Sequence, residues 1–327
     1  MMIHETIVLN KERDVRLETY VLPCGNEFRF TEKRPAVLIL PGGGYNFCSD
    51  REAEPIALAF NTKGFHAFVL RYSVGEHKTW PNPLNDYGTA MQLIKQRSTS
   101  WNIIEDNIAV IGFSAGGHLA SAAATMSPEK PDAVMLGYAV TLNEPAKAMD
   151  DSFPGTVDKI NRDTPPMFVF ASRNDPVVPI ENQLAFITKL NDLHLQYEAH
   201  VYAYANHGFS LATEEMIGKN NTDFCSRTPA WFDDAVMWLD DVFSGKSDTH
   251  RVSAYHDAYD SYLSVDHSLH HVLDNDEARA LLSSYLNKET SFPVPGRYPL
   301  LKALQFVNMS EEDIGTLNKA LNEIKNI

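Results

Sequence analysis

The 327-residue sequence has few basic residues, few cysteines and no long hydrophobic run. Its 28 Lys and Arg are outnumbered by 43 Asp and Glu, and the net charge of −15 repels phosphate backbones and anionic lipids. We therefore expect no nucleic acid and no membrane partner. No segment approaches the roughly 18 to 20 apolar residues of a membrane span, and the first residues lack a secretory-signal pattern, so we expect a cytoplasmic protein.

Metal-binding and disulfide patterns are also missing. The cysteines are widely spaced without a C-x-x-C pair, which predicts neither a disulfide framework nor a zinc site. One histidine group lacks the cysteine or carboxylate spacing that would complete a metal site, and we interpret it as a surface helix face. These residues are Cys24, Cys48, Cys225, His267, His270 and His271. The sequence predicts no metal and no cofactor.

The fold class follows from hydrophobic periodicity. Short apolar, β-branched runs alternate with helical patterns from about residue 36 to residue 244, which predicts an α/β fold with a mainly parallel central sheet flanked by helices. The predicted buried strands are Ala36–Leu40, Ala67–Leu70, Ile108–Ile111, Ala133–Leu136, Met167–Phe170 and Ala199–Tyr202. The predicted helices are Glu52–Lys63, Leu84–Gln96, Glu181–Leu193 and Trp231–Phe243. An edge hairpin of Thr6–Leu9 and Val15–Tyr20 is predicted before them.

A polar, turn-rich stretch after Phe243 predicts a domain boundary. We expect one large domain at residues 1–244 and a small helical C-terminal extension at residues 245–327. Asn275 and Ser310 each precede acidic residues at the start of a helical pattern, which is typical of helix N-caps. The role of the extension is left open.

The segment Gly112–Gly116 matches G-x-S-x-G with Ser114 at its centre. It follows the predicted strand Ile108–Ile111 and precedes a helix-compatible sequence. This context predicts a nucleophile elbow, in which glycines allow a tight turn and the serine is held over the sheet. A glycine-rich turn with a bystander serine is the alternative.

A serine hydroxyl is a weak nucleophile, so this hypothesis requires a base and an acid that orients the base. His207 follows a predicted strand and lies in a loop, and we predict it as the general base. Asp175 comes just beyond the strand Met167–Phe170 and is the predicted acid. The chain order Ser114, Asp175, His207 is the order of an α/β-hydrolase triad.

Consecutive glycines follow the strand Ala36–Leu40. Backbone N–H groups there can approach a ligand without a Cβ in the way, so Gly43 and Gly44, with Ala115 after the nucleophile, are the predicted oxyanion hole. A phosphate cradle is the rival interpretation, and it is weak because neither G-x-G-x-x-G nor G-K-[ST] is present. Tyr45 and Trp80 are candidates to stack on a sugar ring, with Tyr45 preferred because it adjoins the glycines.

Together these motifs resemble the α/β-hydrolases of the bacterial acetylesterase group, the acetylxylan-esterase-like relatives of hormone-sensitive-lipase-type enzymes. The resemblance covers about residues 15–244 and does not reach the C-terminal extension. Its pieces are Pro41–Tyr45, Ser49–Pro55, Leu70–Tyr72, Gly112–His118, Asn174–Pro179 and His207–Phe209. One departure is Pro41, where the broader lipase-like group has histidine. The resemblance implies a Ser-His-Asp triad and a glycine oxyanion hole at the positions already named.

The expected activity is serine-dependent removal of acetyl or short acyl groups from acetylated sugars or xylo-oligosaccharides. A general short-chain carboxylesterase and a prolyl-oligopeptidase-like serine peptidase are the alternatives, although the chain lacks length for the large extra domain usual in such peptidases. A hydrolase-like binding protein is the non-enzyme alternative. The expected partner is a small acyl ester or an acetylated oligosaccharide, and the oligomeric state is left open, with a homo-oligomer among the alternatives.

Overall fold

The structure, a computed structural model, describes residues 2–219, 221–244, 260–286 and 299–326. It comprises two compact units, Met1–Ser244 and Gly245–Ile327. The first unit has two apolar clusters and the second has one of its own.

A single sheet runs through the first unit. Its strands are β1 (Thr6–Asn10), β2 (Val15–Tyr20), β3 (Arg34–Leu40), β4 (His66–Arg71), β5 (Ile103–Phe113), β6 (Ala133–Gly137), β7 (Met167–Ser172) and β8 (Tyr197–Tyr202). They lie in the order β1-β2-β4-β3-β5-β6-β7-β8. β1 and β2 form an antiparallel hairpin at one edge, and every pairing from β4 to β8 is parallel. The prediction of a mainly parallel sheet is confirmed.

Helices connect the strands. They are α1 (Glu54–Thr62), α2 (Asn82–Gln96), α3 (Ser98–Trp101), α4 (Ala115–Met126), α5 (Asn143–Met149), α6 (Glu181–Asp192), α7 (Glu214–Ile217) and α8 (Trp231–Phe243). Apolar residues of α2, α4 and α6 belong to one cluster, and those of α1 and α8 to the other. α1 begins two residues later than predicted, because residues Asp50–Glu52 form a separate 3₁₀ turn.

The central strand β3 shows why the sequences of the core strands are continuously apolar. Leu38 belongs to one cluster, while its neighbours Val37 and Ile39 belong to the other. Successive side chains of a strand point to opposite faces, and both faces of this sheet are covered by helices. Each position of the strand therefore needs an apolar side chain.

The last strand, β8, departs from the prediction. Ala199–Tyr202 was expected to be a buried strand, but Glu198, Ala199 and Val201 are exposed, Val201 by 45%. Among the described strands, β8 pairs with β7 alone and lies at the edge of the sheet. The apolar composition of Ala199–Tyr202 resembles that of a core strand, and its edge position follows from the strand order.

Parallel strands bring four loops to the same edge of the sheet. The loops after β3, β5, β7 and β8 all leave from carboxyl ends. In open parallel sheets, this edge is where ligands bind. The loops carry the glycine run, Ser114, Asp175 and His207, which are far apart in the chain.

The second unit is helical in its described residues. Its helices are α9 (Leu269–Asp274), α10 (Asp276–Tyr285), α11 (Leu300–Phe306) and α12 (Glu311–Leu321). The Asn275 side chain accepts the N–H of Ala278, and the Ser310 side chain accepts that of Asp313, which confirms both predicted N-caps. Leucines from all four helices form the apolar cluster.

The histidine group of this unit corrects one prediction. His267 is fully buried and its Nδ1 accepts the N–H of Ser264, so it does not lie on a surface helix face. His267 precedes α9, and its ring stacks on that of His271 at 5.7 Å, whereas His270 is exposed. Among the described residues, no group of three or more His, Cys, Asp or Glu has an arrangement that could hold a metal ion. No described helix has both the length and the apolar character needed to span a membrane.

Candidate active site

Ser114 lies in a tight turn between β5 and α4. β5 ends at Phe113 and α4 begins at Ala115, so Ser114 alone makes the turn. Its φ of 53° and ψ of −115° are unfavourable for a residue with a Cβ. Strain at a serine between a strand and a helix is the geometry of a nucleophile elbow.

The two glycines that flank this turn are required by close packing. A Cβ on Gly112 would lie 2.1 Å from the carbonyl oxygen of Gly116. A Cβ on Gly116 would lie 2.0 Å from the carbonyl oxygen of Leu40. No side chain fits at either position, so the G-x-S-x-G pattern reflects contacts of the turn with the helix and with β3.

Ser114, His207 and Asp175 form a continuous hydrogen-bonded chain. Ser114 Oγ lies 2.9 Å from His207 Nε2, and His207 Nδ1 lies 2.6 Å from Asp175 Oδ2. With the carboxylate ionised, Nδ1 carries the proton and Nε2 is an acceptor facing the serine hydroxyl. The side chain of Asp175 is 1% exposed and that of His207 is 17% exposed. The carboxylate is shielded from water while the imidazole can reach a ligand.

Two backbone N–H groups orient the Asp175 side chain. Asp175 Oδ1 accepts the N–H of Val177 at 2.8 Å and that of Val178 at 2.9 Å. These bonds occupy one carboxylate oxygen and leave Oδ2 for His207. The turn after β7 therefore holds the carboxylate in the orientation that the histidine needs.

Polar side chains join the loop that carries Asp175 to the loop that carries His207. Asn174 Oδ1 accepts the N–H of Ala205 at 3.0 Å and that of Asn206 at 3.3 Å. Ser172 Oγ donates to Asn174 Oδ1 at 2.6 Å and accepts the N–H of Ala205 at 2.7 Å. The sequence analysis did not identify these bridging residues. The one sequence feature that pointed to them was the presence of polar residues, Ser172 and Asn174, at the end of an apolar strand.

The glycine run after β3 has the backbone of a donor loop. Gly43 and Gly44 have φ values of 126° and 62°, and a Cβ on Gly43 would lie 2.2 Å from the carbonyl oxygen of Phe47. None of the described residues accepts a hydrogen bond from the N–H groups of Gly43, Gly44 or Ala115. Ala115 is the first residue of α4, where N–H groups have no partner within the helix. These three groups are free to donate to a ligand.

Tyr45 does not lie where the sequence analysis expected. Its side chain is fully buried, and its hydroxyl lies 2.8 Å from Nδ1 of His118. It cannot stack on a sugar at the mouth of the site, and this prediction is wrong. The prediction was based on the position of Tyr45 next to the glycines in the sequence, but the turn points the Tyr45 ring into the core.

Phe47 is the exposed aromatic residue of the same loop, with 59% of its surface accessible. Its ring packs against Gly43, because a Cβ built there would lie 3.1 Å from Phe47 Cδ2. Trp80, the other aromatic candidate, is half-buried, and its ring centroid lies 5.7 Å from that of His118 and 6.0 Å from that of Phe153. Packing accounts for Trp80 better than an open ligand contact does.

His118 completes the support beneath the donor loop. Its Nε2 donates to the carbonyl of Pro154 at 2.7 Å, so its Nδ1 accepts from the Tyr45 hydroxyl. Burial lowers the pKa of His118 to about 4, and the ring is neutral at pH 7. A histidine in the segment after the serine is therefore a structural residue here.

Comparison with known proteins agrees with this geometry. MGS-M1, an alpha/beta hydrolase enzyme from a Medee basin deep-sea metagenome library, is 41% identical, covers 74% of this chain and 98% of its own, and superposes with a TM-score of 0.69. The chain is an α/β-hydrolase. A BD-FAE family model matches residues 27–131 of the hydrolase, and a Phospholipase/Carboxylesterase model matches residues 84–220.

Two further relatives narrow the group. An acetyl ester-xyloside bifunctional hydrolase from Caldicellulosiruptor lactoaceticus is 27% identical, with a TM-score of 0.63 over 73% of this chain and 96% of its own. An acetylxylan esterase of Xylanibacter ruminicola is 26% identical over 54% of this chain and 42% of its own. The hydrolase is acetylxylan-esterase-like, and several of its relatives are named esterases or carboxylesterases. It spans about half the length, or less, of the curated relatives it matches.

Proposed function

We propose that this α/β-hydrolase is a serine carboxylesterase that removes acetyl or other short acyl groups from acetylated sugars or xylo-oligosaccharides. The observation that carries the proposal is the hydrogen-bonded chain from Ser114 Oγ through His207 to Asp175. The acetylxylan esterase and acetyl ester-xyloside hydrolase relatives support an acetylated sugar as the substrate.

The proposed reaction begins with attack of Ser114 Oγ on the acetyl carbonyl carbon. His207 Nε2 takes the serine proton, and the carbonyl π electrons move to the oxygen, which the N–H groups of the oxyanion hole stabilise. The tetrahedral intermediate collapses, the C–O bond to the sugar breaks, and His207 returns the proton to the sugar oxygen. Asp175 keeps the imidazole in the required tautomer and stabilises its protonated form.

A water molecule completes the cycle. His207 removes a proton from water as the water oxygen attacks the acetyl-serine carbonyl carbon. The second tetrahedral intermediate collapses, the C–O bond to Ser114 Oγ breaks, and His207 returns the proton to Oγ as acetic acid leaves and ionises to acetate. Gly43, Gly44 and Ala115 are the proposed donors in both halves, because their N–H groups have no acceptor among the described residues.

Phe47 is the proposed contact for the sugar in place of Tyr45. It is exposed, aromatic and packed against the donor loop. A flat aromatic ring suits the apolar face of a sugar, and its burial by a ligand would be favourable. Phe47 is proposed to contact the alcohol part of the ester and has no proposed contact with the acyl group.

A general short-chain carboxylesterase is the second candidate. The match of a Phospholipase/Carboxylesterase model to residues 84–220 favours it. Both candidates use the same triad and differ only in the alcohol. The acetylxylan esterase and acetyl ester-xyloside hydrolase relatives support acetyl and other short acyl groups in either case.

The test measures acetate release from acetylated xylo-oligosaccharides and hydrolysis of p-nitrophenyl esters of two to eight carbons. Wild type is compared with Ser114→Ala. We expect serine-dependent release from the sugars and falling rates as the acyl chain lengthens. A folded Ser114→Ala variant with near wild-type turnover would contradict the triad, and faster turnover of eight-carbon esters than of acetates would contradict the short acyl pocket. Activity on aryl acetates alone would favour the second candidate.

The first compact unit, Met1–Ser244, holds all of these residues, and we assign the catalytic domain to it. The helical extension at residues 245–327 has no assigned step in this cycle. A cytoplasmic location remains a prediction, and it would restrict the substrates to imported oligomers.

A further inference from the structure

A buried carboxyl lies beneath the donor loop and has no role in the triad. Glu52 ends the 3₁₀ turn Asp50–Glu52 and is 3% exposed. In the part of the chain that the structure describes, no Lys or Arg forms an ion pair with it. Burying a carboxyl without a cation is costly, so its hydrogen bonds must compensate. Their partners indicate what the residue holds in place.

Each oxygen of this carboxyl accepts one hydrogen bond from a different part of the site. Oε2 accepts the N–H of Gly42 at 2.8 Å, at the start of the glycine loop. Oε1 accepts the hydroxyl of Tyr138 at 2.6 Å. Burial raises the pKa of Tyr138 well above its ordinary value of 10, so the phenol keeps its proton and acts as a donor.

Tyr138 extends the connection to the loop of the base. Its hydroxyl oxygen accepts the N–H of Ser210 at 3.1 Å, three residues after His207. Its ring lies edge-on to the imidazole, with centroids 5.0 Å apart. Ser210 Oγ donates in turn to the carbonyl of Arg51, next to Glu52 in the chain. The turn at 50–52 is thus bonded to both the donor loop and the histidine loop.

The glycine that Glu52 holds is packed tightly against the nucleophile. A Cβ built on Gly42 would lie 2.7 Å from Glu52 Oε2 and 3.0 Å from Ser114 Cβ. The carboxyl, the loop backbone and the serine are therefore in successive contact. A shift of Gly42 would move the following N–H groups of Gly43 and Gly44 relative to Ser114.

We propose that Glu52 is a positioning residue that, with Tyr138, sets the distance between the oxyanion donors and the catalytic histidine. It touches no substrate and acts through Gly42 and through the Tyr138 phenol. The inference rests on the proposed esterase function. Its effect belongs to the transition state, because the donors act on an oxygen that becomes negative only there.

Glu52→Gln is the test substitution. It keeps the size of the side chain but presents one oxygen and one NH₂ group. In one orientation of the amide, the NH₂ group faces the Gly42 N–H and cannot accept its hydrogen bond. In the flipped orientation, the NH₂ group faces the Tyr138 hydroxyl and cannot accept from it. Tyr138→Phe removes the other half of the connection, and the double variant tests whether the two act together.

The assay uses p-nitrophenyl acetate, so that it does not depend on a sugar as the natural alcohol. Losing an oxyanion donor outright costs about 10²–10³ in kcat, so for displaced donors we expect Glu52→Gln to lower kcat about 10- to 100-fold with KM within about 2-fold. A trifluoromethyl ketone forms a tetrahedral adduct with the serine, and its inhibition constant should rise by the factor by which kcat/KM falls. The double variant should be little worse than the worse single variant.

Asp132→Ala is the matched control for lost stability. Asp132 is a half-buried acidic residue, and its side chain accepts the N–H of Ile108 at 2.8 Å. That bond lies where β5 and β6 begin to pair, at their amino ends, whereas the site lies at the carboxyl ends of the strands. We expect this variant to lower Tm while kcat and KM stay within about 2-fold of wild type.

A Glu52→Gln variant with kcat within about 2-fold of wild type would overturn the proposal, and so would a loss confined to KM. A failure of the proposed function would look different. Wild type would then not turn over p-nitrophenyl acetate, and the rate at which a fluorophosphonate labels Ser114 would be compared by mass spectrometry instead. Slower labelling of Glu52→Gln and of Tyr138→Phe supports the positioning role, and equal labelling refutes it. If Glu52→Gln does not fold, Tyr138→Phe alone decides between these outcomes.

Discussion

Two buried neutral histidines should make the hydrolase lose stability in mild acid. Burial lowers the pKa of both His118 and His66 from 6.5 to about 4. In each ring one nitrogen donates to a carbonyl and the other accepts, from the Tyr45 hydroxyl in His118 and from the Leu22 N–H in His66. Both nitrogens are therefore committed in the neutral form, and neither ring can gain a proton without losing an accepted hydrogen bond.

The pH window and the magnitude follow from linkage. As the pH falls below 6.5, the unfolded chain binds a proton at each histidine, whereas the folded protein does not do so until about pH 4. Stability is therefore lost as the pH falls from 6.5 to 4. One pKa unit corresponds to about 1.4 kcal/mol, so each histidine should lower the free energy of unfolding by about 2 kcal/mol between pH 7 and pH 5.

Urea unfolding at pH 7 and at pH 5, followed by tryptophan fluorescence, measures this loss. The comparison is between wild type and His118→Gln, with His66→Gln as the second variant. Each variant should have a lower free energy of unfolding than wild type at pH 7. The loss of unfolding free energy from pH 7 to pH 5 should be about 2 kcal/mol smaller in each variant than in wild type. If His118→Gln and His66→Gln both keep the wild-type pH difference, the rings are not held neutral and the reasoning is refuted.

Two further predictions concern the site. Asp175→Asn should lower kcat by about 10⁴ with little change in fold, the loss that the equivalent substitution causes in a serine protease, because His207 then lacks the group that sets its tautomer. Steady-state kinetics check this, and a loss under about tenfold would point to a different acid. Phe47→Ala should raise KM for acetylated xylo-oligosaccharides by about 5- to 30-fold, since an aromatic contact is worth roughly 1–2 kcal/mol, and should leave KM for p-nitrophenyl acetate nearly unchanged. Tyr45→Phe is the control and should affect stability more than KM. Equal effects of Phe47→Ala on the KM values of both substrates would rule out a sugar contact.

Local chain chemistry was enough to predict the strands and the long helices of the first unit, and the three side chains that meet at the sheet edge. β-branched apolar runs predicted the core strands, and the helix Trp231–Phe243 has the predicted bounds. A Cβ at Gly112 or Gly116 would lie only 2.0 to 2.1 Å from a carbonyl oxygen, so the glycines of the motif and the tight turn are one requirement. The order of serine, acid and base along the chain predicted which three loops had to converge.

Tertiary structure alone decided what no local pattern encodes. Strand order made Tyr197–Tyr202 an edge strand, although its composition resembled that of the core. The direction of one turn buried Tyr45 and exposed Phe47. Glu52 reads in the sequence as an ordinary acid before a helix, yet its two oxygens join residues 10 and 86 positions away. Hydrogen bonds over such separations depend on which strands become neighbours, and that is settled only when the whole sheet packs.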